Sequence, residues 1–264
     1  MSDAKTLEEL STTTYWDARY AKASTSSSGT KPVTTTNQPS DSTASPDANG
    51  TSSTSTTDAP STFEWFKPYA SLSPFLHAHL PPVSEAGEIL HLGIGNSTLA
   101  IDLATQPSPP YTRHLCLDFS SVVIAQMSAA YSARFPEIKW LEQDVRDMRD
   151  VPTGSVSVAI DKGTMDAMVS GSPWDPPEGV RRNVGAYVDE VARVLGRGGV
   201  WVYVTWRQPH FVKPALERPG VWTVESEVIK EEGGGGGGFD YFGYVLRKHG
   251  DDVGKREVKG EVEP

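Results

Sequence analysis

The chain of 264 residues predicts an α/β fold, a doubly wound seven-stranded sheet with helices on both faces and an antiparallel last strand. Three observations predict this fold. From residue 88 onward, short apolar runs of strand length alternate with segments whose apolar residues have helical spacing. A glycine-rich turn at 93–97 follows the first run, and doubly wound proteins begin a nucleotide site at such a turn. The last two runs are joined by a segment with six consecutive glycines, which leaves no room for a crossover and predicts a hairpin.

The individual elements follow from the apolar pattern and from the turn residues that bound it. The predicted strands are 88–92, 114–117, 138–141, 156–160, 200–205, 222–229 and 239–246. The predicted helices are 97–104, 120–134 and 180–195. The third helix has the clearest helical spacing of apolar residues, and the glycine-rich turn 196–199 is predicted to end it.

The segments before the first strand predict an aromatic element and a linker. Residues 23–60 are rich in Ser and Thr and contain no aromatic residue, so they cannot bury enough surface to offset their ordering entropy. Aromatic clusters flank this stretch at 15–20 and 63–66, which suggests one structural element interrupted by a tolerated insertion. We therefore predict an N-terminal aromatic segment (1–22), a disordered linker (23–60), a domain (61–248) and a disordered charged tail (249–264).

Composition restricts the partners and the compartment. The formal net charge of −10 disfavours a nucleic-acid-binding surface, which is normally basic. The single cysteine, Cys116, excludes a disulfide within the chain and favours a reducing compartment. Residues 1–10 have no apolar signal core, and no run approaches the roughly 18 apolar residues of a membrane helix. We expect a soluble, cytoplasmic protein that binds neither nucleic acid nor a membrane.

Two acids that close apolar runs predict an adenosine site beside the glycine turn. Gly93 and Gly95 let the backbone approach a ligand closely. Asp118 follows Gly93 by 25 residues, where doubly wound folds place a carboxylate that accepts both ribose hydroxyls. Its alternative role is a turn or N-cap aspartate. Asp144 could accept from an adenine amino group, with Val145 supplying a backbone donor and packing surface; the alternative is a surface turn acid near the arginine at 146.

A third acid, Asp161, follows the fourth predicted strand and faces the middle of the same sheet edge. A residue at this position lies near any reacting group, so Asp161 is our candidate for positioning the substrate. The alternative is a helix-starting turn in which Asp161 pairs with Lys162, a pair that contributes little if it is exposed.

Details of the glycine turn favour one cofactor. A dinucleotide fingerprint requires a third glycine three residues after Gly95, and Thr98 stands there instead. The Gly-Lys-Ser/Thr sequence of a phosphate loop is absent. A cofactor with adenosine and an amino-acid tail but no phosphate fits better, and we predict S-adenosylmethionine.

Several motifs together resemble the seven-β-strand methyltransferases, within the methyltransferase-like group that includes the elongation factor 1A lysine methyltransferases. They are the residues 15–20 (Tyr-Trp-Asp-Ala-Arg-Tyr), 63–66, 92–97, 144–147, 161–167 (Asp-Lys-Gly-Thr-Met-Asp-Ala), 193–195, 198–199 and 208–211. The resemblance implies a Rossmann-like class I methyltransferase fold. It also implies that the aromatic segment 1–22 and Trp65 form a lid. The implied cofactor contacts come from this lid and from the strand ends, at Trp16, Tyr20, Trp65, Gly93, Asp118, Phe119, Asp144, Val145 and Lys162.

Two residues depart from the family pattern. Ile94 replaces the usual cysteine of the glycine turn, which we expect to be tolerated because the side chain should point away from the ligand. His91 stands where the wider class often has an acid that binds the amino group of the cofactor, so that contact must come from elsewhere. The aromatic clusters also have an alternative role as plain core packing.

The resemblance implies an enzyme that methylates a lysine of a protein substrate such as elongation factor 1A. A lysine must lose its proton before it can attack. The Asn/Asp-Pro-Pro-aromatic motif of DNA and RNA amino-methyltransferases is absent, because Asp161-Lys162-Gly163-Thr164 occupies its place. A small-molecule methyltransferase on the same fold and a catalytically silent binding partner remain as alternatives.

Overall fold

The computed structural model describes residues 9–26, 62–230 and 240–250. Its seven strands are β1 (Glu88–Leu92), β2 (His114–Asp118), β3 (Ile138–Glu142), β4 (Val156–Lys162), β5 (Leu195–Thr205), β6 (Trp222–Ile229) and β7 (Tyr241–Lys248). Its helices are α1 (Thr13–Ser26), α2 (Tyr69–His79), α3 (Leu99–Thr105), α4 (Ser121–Tyr131), α5 (Thr164–Met168), α6 (Glu178–Val194) and α7 (Pro209–Leu216).

The strands form one sheet in the order β3-β2-β1-β4-β5-β7-β6. Strands β1 to β5 are parallel, and β7 lies antiparallel between β5 and β6. The chain winds outward from β1 in one direction and from β4 in the other, so the switch point where a doubly wound sheet binds its ligand lies between these two strands. The predicted fold class, including the antiparallel last strand, is confirmed.

Helices bury apolar residues on both faces of the sheet. On one face, the α6 side chains Tyr187 and Val191 pack with Trp201 of β5 in one cluster. On the other face, Leu72 and Leu76 of α2 pack with neighbouring strand residues in a second cluster. All five of these side chains are fully buried. Fully burying one such side chain contributes about 1.5–3 kcal/mol.

Some predicted boundaries are wrong by a few residues. Strand β4 runs on to Lys162, so Asp161 belongs to the strand instead of following it. Helix α3 begins at Leu99, two residues after the predicted start. The predicted turn 196–199 lies within the span of β5. Leu195 pairs with Val156 and Val200 pairs with Val158, so residues 196–199 stand opposite a single residue of β4 and bulge out of the ladder.

Parts of the predicted organisation lie outside the described residues. These parts are residues 1–8 of the predicted lid, residues 27–60 of the predicted linker, residue 61, the glycine-rich connection 231–239 and residues 251–264 of the tail. The division into lid, linker, domain and tail therefore stays a prediction. Within the described ranges, none of the helices is both long enough and apolar enough to cross a membrane.

Candidate active site

A cavity opens at the carboxyl edge of the sheet, where the loops after β1 to β5 meet. Helix α1 and the segment 63–66 also contribute to its walls. The cavity is lined by all ten residues that the sequence predicts to bind the cofactor: Trp16, Tyr20, Trp65, Gly93, Gly95, Asp118, Phe119, Asp144, Val145 and Lys162. The structure therefore brings together residues that lie up to 146 positions apart in the chain.

The glycine turn after β1 has room only for glycine at two positions. Gly93 and Gly95 have φ values of +64° and +57°, a backbone region that other residues rarely adopt. A Cβ atom added to Gly93 would collide with Thr164, whose hydroxyl donates to the carbonyl of Leu92. A Cβ atom added to Gly95 would lie 2.9 Å from the Tyr20 hydroxyl. The turn thus stays in contact with both the lid and α5.

The Asp118 carboxylate lies at the end of β2 and is 5% exposed. It accepts from the backbone N–H of Gly95 at 2.9 Å and from that of Ser120 at 2.9 Å. Burial raises the pKa of Asp118 to about 6, although these N–H donors favour its ionised form. An ionised carboxylate offers about four acceptor sites, and the backbone N–H of Phe119 is a third donor, so about one site remains for a further donor. Asp118 also fits its alternative role as a turn aspartate, because it accepts from the N–H of Ser120. It is not the N-cap of α4: that residue is Ser120, whose hydroxyl accepts from the N–H of Val123.

The Asp144 carboxylate is largely occupied by a neighbour. The Arg146 side chain donates from Nε to Oδ1 at 2.9 Å and from Nη2 to Oδ2 at 2.6 Å, and its backbone N–H adds a third bond. This bidentate pair matches the alternative of a turn acid near Arg146. An adenine contact at Asp144 would have to share the carboxylate with the guanidinium. Val145 is buried and lines the cavity beside it.

The structure does not support direct substrate contact at Asp161, and this prediction is corrected. Asp161 is fully buried and is not among the residues that line the cavity. Its carboxylate accepts from the N–H groups of Thr164 and Met165 at the start of α5 and from the Tyr187 hydroxyl at 2.8 Å. Successive strand residues point to opposite faces, so Lys162 reaches the cavity and Asp161 turns away from it. Asp161 therefore has its alternative role, in a turn that starts a helix. It does not form the ion pair with Lys162 that this alternative included, because Lys162 pairs with Glu64.

Lys162 forms a buried ion pair that sequence reasoning missed. Its ammonium donates to Glu64 Oε2 at 2.9 Å and to the carbonyl of Trp65 at 2.9 Å. Glu64 also accepts from the Ser97 hydroxyl and from the Thr98 N–H. Burial alone would raise the pKa of Glu64, but the Lys162 ammonium and these donors hold it below its ordinary value. The pair fixes the segment 63–66 to the end of β4 and to the turn before α3.

The lid aromatics serve two purposes. Trp16 and Tyr20 are 8% and 5% exposed, and their rings stack with centroids 5.7 Å apart. Trp65 lies 5.7 Å from Trp16, and the same cluster includes Val123 and Met127 of α4. The alternative of core packing is therefore correct, and the same rings also line the cavity.

His91 lies at the cavity but carries no charge. The His114 Nε2 lies 2.7 Å from the carbonyl of Tyr111, so it is the protonated nitrogen of that ring. His91 Nε2 must then donate to His114 Nδ1 at 3.0 Å. Burial holds the pKa of His91 well below its ordinary value. A neutral imidazole cannot replace the charge of an acid, so His91 does not supply that charge to the cofactor amino group.

Residues from α5 and from the loop after β5 line the cavity on its β4–β5 side. They were not predicted as site residues and include Asp166, Ala167, Met168, Trp206 and Arg207. Asp166 belongs to the 161–167 motif, but the sequence does not show which of its two acids faces the cavity. That depends on the residue at which β4 ends.

Comparison with known proteins identifies the family. No family model matches the chain. A mouse protein named EEF1A lysine methyltransferase 4 is 35% identical over 190 residues, which cover 70% of this chain and 69% of the mouse protein. The chain belongs to the EEF1A lysine methyltransferase family. The bovine protein of that name is 38% identical over 152 residues, covering 56% of each chain. The human eEF1A lysine and N-terminal methyltransferase is 33% identical over 154 residues, but these cover 20% of its length.

Solved structures agree with the fold of this EEF1A lysine methyltransferase family member. A Leishmania major S-adenosylmethionine-dependent methyltransferase superimposes with a TM-score of 0.51 at 13% identity, covering 67% of this chain and 70% of that one. A structure concerned with thioacetal formation in echinomycin biosynthesis gives 0.52 at 13% identity, covering 74% and 89%. Family membership confirms the predicted methyltransferase activity and its cofactor, S-adenosylmethionine.

The cavity of this family member fits a cofactor without phosphate. The three cations that line it, Arg146, Lys162 and Arg207, are each paired with a carboxylate. Aromatic and aliphatic side chains form the walls on the β1–β3 side, and Asp118 keeps a free acceptor site there. Such a set suits an adenosine group, because it offers apolar faces for a base and an acceptor for hydroxyls.

Proposed function

We propose that this chain transfers a methyl group from S-adenosylmethionine to a lysine side chain of elongation factor 1A. The observation that carries the proposal is the 35% identity to mouse EEF1A lysine methyltransferase 4 over 69% of that protein. The acidic net charge of −10 agrees with a protein substrate better than with a nucleic acid. We place the reaction in the cytoplasm, which the single cysteine supports.

The residues of the chain bind and align the reactants. Bound S-adenosylmethionine supplies a methyl group on a positively charged sulfur. Asp118 accepts the ribose hydroxyls, Phe119 and Val145 pack against the base, and the turn at Gly93 and Gly95 leaves room for the cofactor. Asp144 can accept a hydrogen bond from the cofactor only at an acceptor position that its pair with Arg146 leaves free.

The lid residues Trp16, Tyr20 and Trp65 exclude water, and Lys162 acts by holding the segment that carries Trp65. Alignment and exclusion of water are the main contributions that a protein makes to such an in-line displacement. The lone pair of the lysine nitrogen forms the new N–C bond while the C–S bond breaks and leaves its electrons on sulfur. The nitrogen then releases one proton to water.

Labelled methyl transfer tests the proposal. The full chain is incubated with methyl-labelled S-adenosylmethionine and purified elongation factor 1A, and the modified residue is located by mass spectrometry. We expect label on a lysine, and Asp118→Ala should abolish it at cofactor concentrations that saturate the unaltered protein. Label found only in a metabolite fraction would instead identify a small-molecule methyltransferase. No label together with no cofactor binding by calorimetry would identify a silent binding partner.

A further inference from the structure

The residues that line the cavity form two groups, one on each side of the switch point between β1 and β4. Those predicted to contact the cofactor come from the lid and mainly from the ends of β1, β2 and β3. The strand order places the loop after β5 on the opposite side of the switch point. That side carries Asp166 from α5 and Trp206 and Arg207 from the loop after β5, and all three line the cavity. These residues are therefore placed to contact the methyl acceptor and not the adenosine.

Asp166 is a buried carboxylate with one unused acceptor position. Oδ1 accepts from the Thr205 hydroxyl at 2.7 Å and from Arg207 Nε at 3.1 Å. Oδ2 accepts from the Tyr203 hydroxyl at 2.6 Å, and no other donor to it is found among the described residues. A carboxylate offers about four acceptor sites, so Oδ2 can accept one more hydrogen bond. The side chain is 8% exposed, which limits competition from water.

Trp206 is the half-exposed aromatic residue of this side. Its exposed fraction is 49%, whereas Trp16 and Tyr20 of the lid are nearly buried. The Arg207 guanidinium lies 4.9 Å from the Trp206 ring centroid and also donates to the carbonyl of Val169 at 2.9 Å. Because the same guanidinium is paired with Asp166, the ring and the carboxylate are held by one side chain.

We propose that Asp166 and Trp206 form the acceptor subsite, which takes a primary amine at the end of an aliphatic chain. This inference rests on the proposed function and assigns its substrate side. The Trp206 ring packs along the methylene groups, and Asp166 Oδ2 accepts a hydrogen bond from the terminal nitrogen. An ammonium group is attracted to this carboxylate, and after it loses a proton to water the amine keeps one N–H on Oδ2. Its lone pair then remains free to attack.

Kinetics with elongation factor 1A test the subsite within the reaction. A hydrogen bond to a charged group contributes enough that Asp166→Asn should lower kcat/KM by about tenfold to hundredfold. Trp206→Leu should raise KM for elongation factor 1A several-fold and change kcat little. Both variants should bind S-adenosylmethionine as the unaltered protein does, because their residues lie away from the adenosine side. Unchanged kcat/KM in Asp166→Asn, with methylation intact in the unaltered protein, would overturn the subsite.

A binding probe separates this inference from the proposed function. The full chain with S-adenosylhomocysteine is titrated with n-butylamine, and the Trp206 indole N–H is followed by nuclear magnetic resonance, assigned from its loss in Trp206→Leu. We expect a saturable shift with n-butylamine, a much smaller one with n-butanol, and loss of the shift in Asp166→Asn. Such a result without methylation of elongation factor 1A would support the subsite and refute elongation factor 1A as the substrate.

Two matched controls exclude a general structural effect. Asp161→Asn alters the other buried acid of the same motif, which does not line the cavity, and should leave the n-butylamine affinity unchanged. Trp174→Leu removes a tryptophan that is 79% exposed and does not line the cavity, and should also leave it unchanged. An equal loss of affinity in Asp161→Asn and Asp166→Asn would show that neither carboxylate contacts the amine.

Discussion

The buried ion pair between Glu64 and Lys162 gives a quantitative test of how the segment 63–66 is held. In Lys162→Met the aliphatic part of the side chain is retained and the charge is lost. The Glu64 carboxylate then remains largely buried, with the Ser97 hydroxyl and the N–H and hydroxyl of Thr98 as donors. The carbonyl of Trp65 also loses the ammonium that it accepts from. The substitution therefore leaves a buried charge without its counter-ion.

The expected loss follows from the burial of the pair. The Lys162 side chain is 7% exposed and that of Glu64 is 21% exposed. Removing one partner of a buried pair costs about 3–5 kcal/mol in the free energy of unfolding. Glu64 keeps three donors and some contact with water, so we expect the lower end, about 3 kcal/mol. Adding Glu64→Gln removes the unpaired charge while an amide oxygen can still accept from Thr98, and should restore more than half of the loss.

Urea unfolding at pH 7 measures these free energies. The matched control is Lys139→Met, because Lys139 pairs with Glu88 at 3.1 Å but is 66% exposed. Such a surface pair contributes about 1 kcal/mol or less. A loss in Lys162→Met no larger than that in Lys139→Met would refute the reasoning. So would a double variant that is less stable than Lys162→Met alone.

Three further predictions concern the glycine turn and the buried acids. Gly95→Ala should weaken S-adenosylmethionine binding measured by calorimetry by about tenfold, because its Cβ would lie 2.9 Å from the Tyr20 hydroxyl. Gly154→Ala, with φ +69° and no atom near the added Cβ, controls for backbone strain and should not affect binding. Cofactor affinity should fall as the pH drops below about 6, where Asp118 becomes protonated and accepts hydroxyls less well, and unchanged affinity at pH 5 would contradict the ribose role. Burial raises the pKa of Asp161 in the folded protein from 3.8 to about 7, so folding favours the protonated carboxyl. Its contribution to the free energy of unfolding is complete below pH 3.8 and is lost as the pH rises through 7. The free energy of unfolding of Asp161→Asn, measured in urea, should lack this pH dependence.

The fold could be predicted from the sequence because its signals are local. Each strand is a short apolar run, and the six glycines allow only a hairpin between the last two. The glycine turn and the acid at 118 have a fixed spacing in doubly wound folds, so the adenosine side of the cavity could be predicted from one stretch of chain. The resemblance added the lid, since the aromatic residues by themselves favour core packing, which they also provide.

The contacts that the sequence did not reveal depend on tertiary placement. Glu64 and Lys162 are separated by 98 positions, and neither stands in a pattern that points to the other. Which of Asp161 and Asp166 faces the cavity depends on the residue at which β4 ends. One residue changes which face of a strand a side chain occupies, and strand ends are the least certain part of a prediction from sequence.

The lid and the proposed ribose site share one turn, and this has a thermodynamic consequence. The Gly95 N–H donates to Asp118, and the lid residue Tyr20 lies so close to Gly95 that a Cβ would not fit between them. Another lid residue, Asp17, accepts from the hydroxyl of Ser120, whose N–H also donates to Asp118. A cofactor that contacts Asp118 and the lid therefore binds the docked lid better than the undocked one. By linkage, docking of the lid must raise cofactor affinity by the same factor.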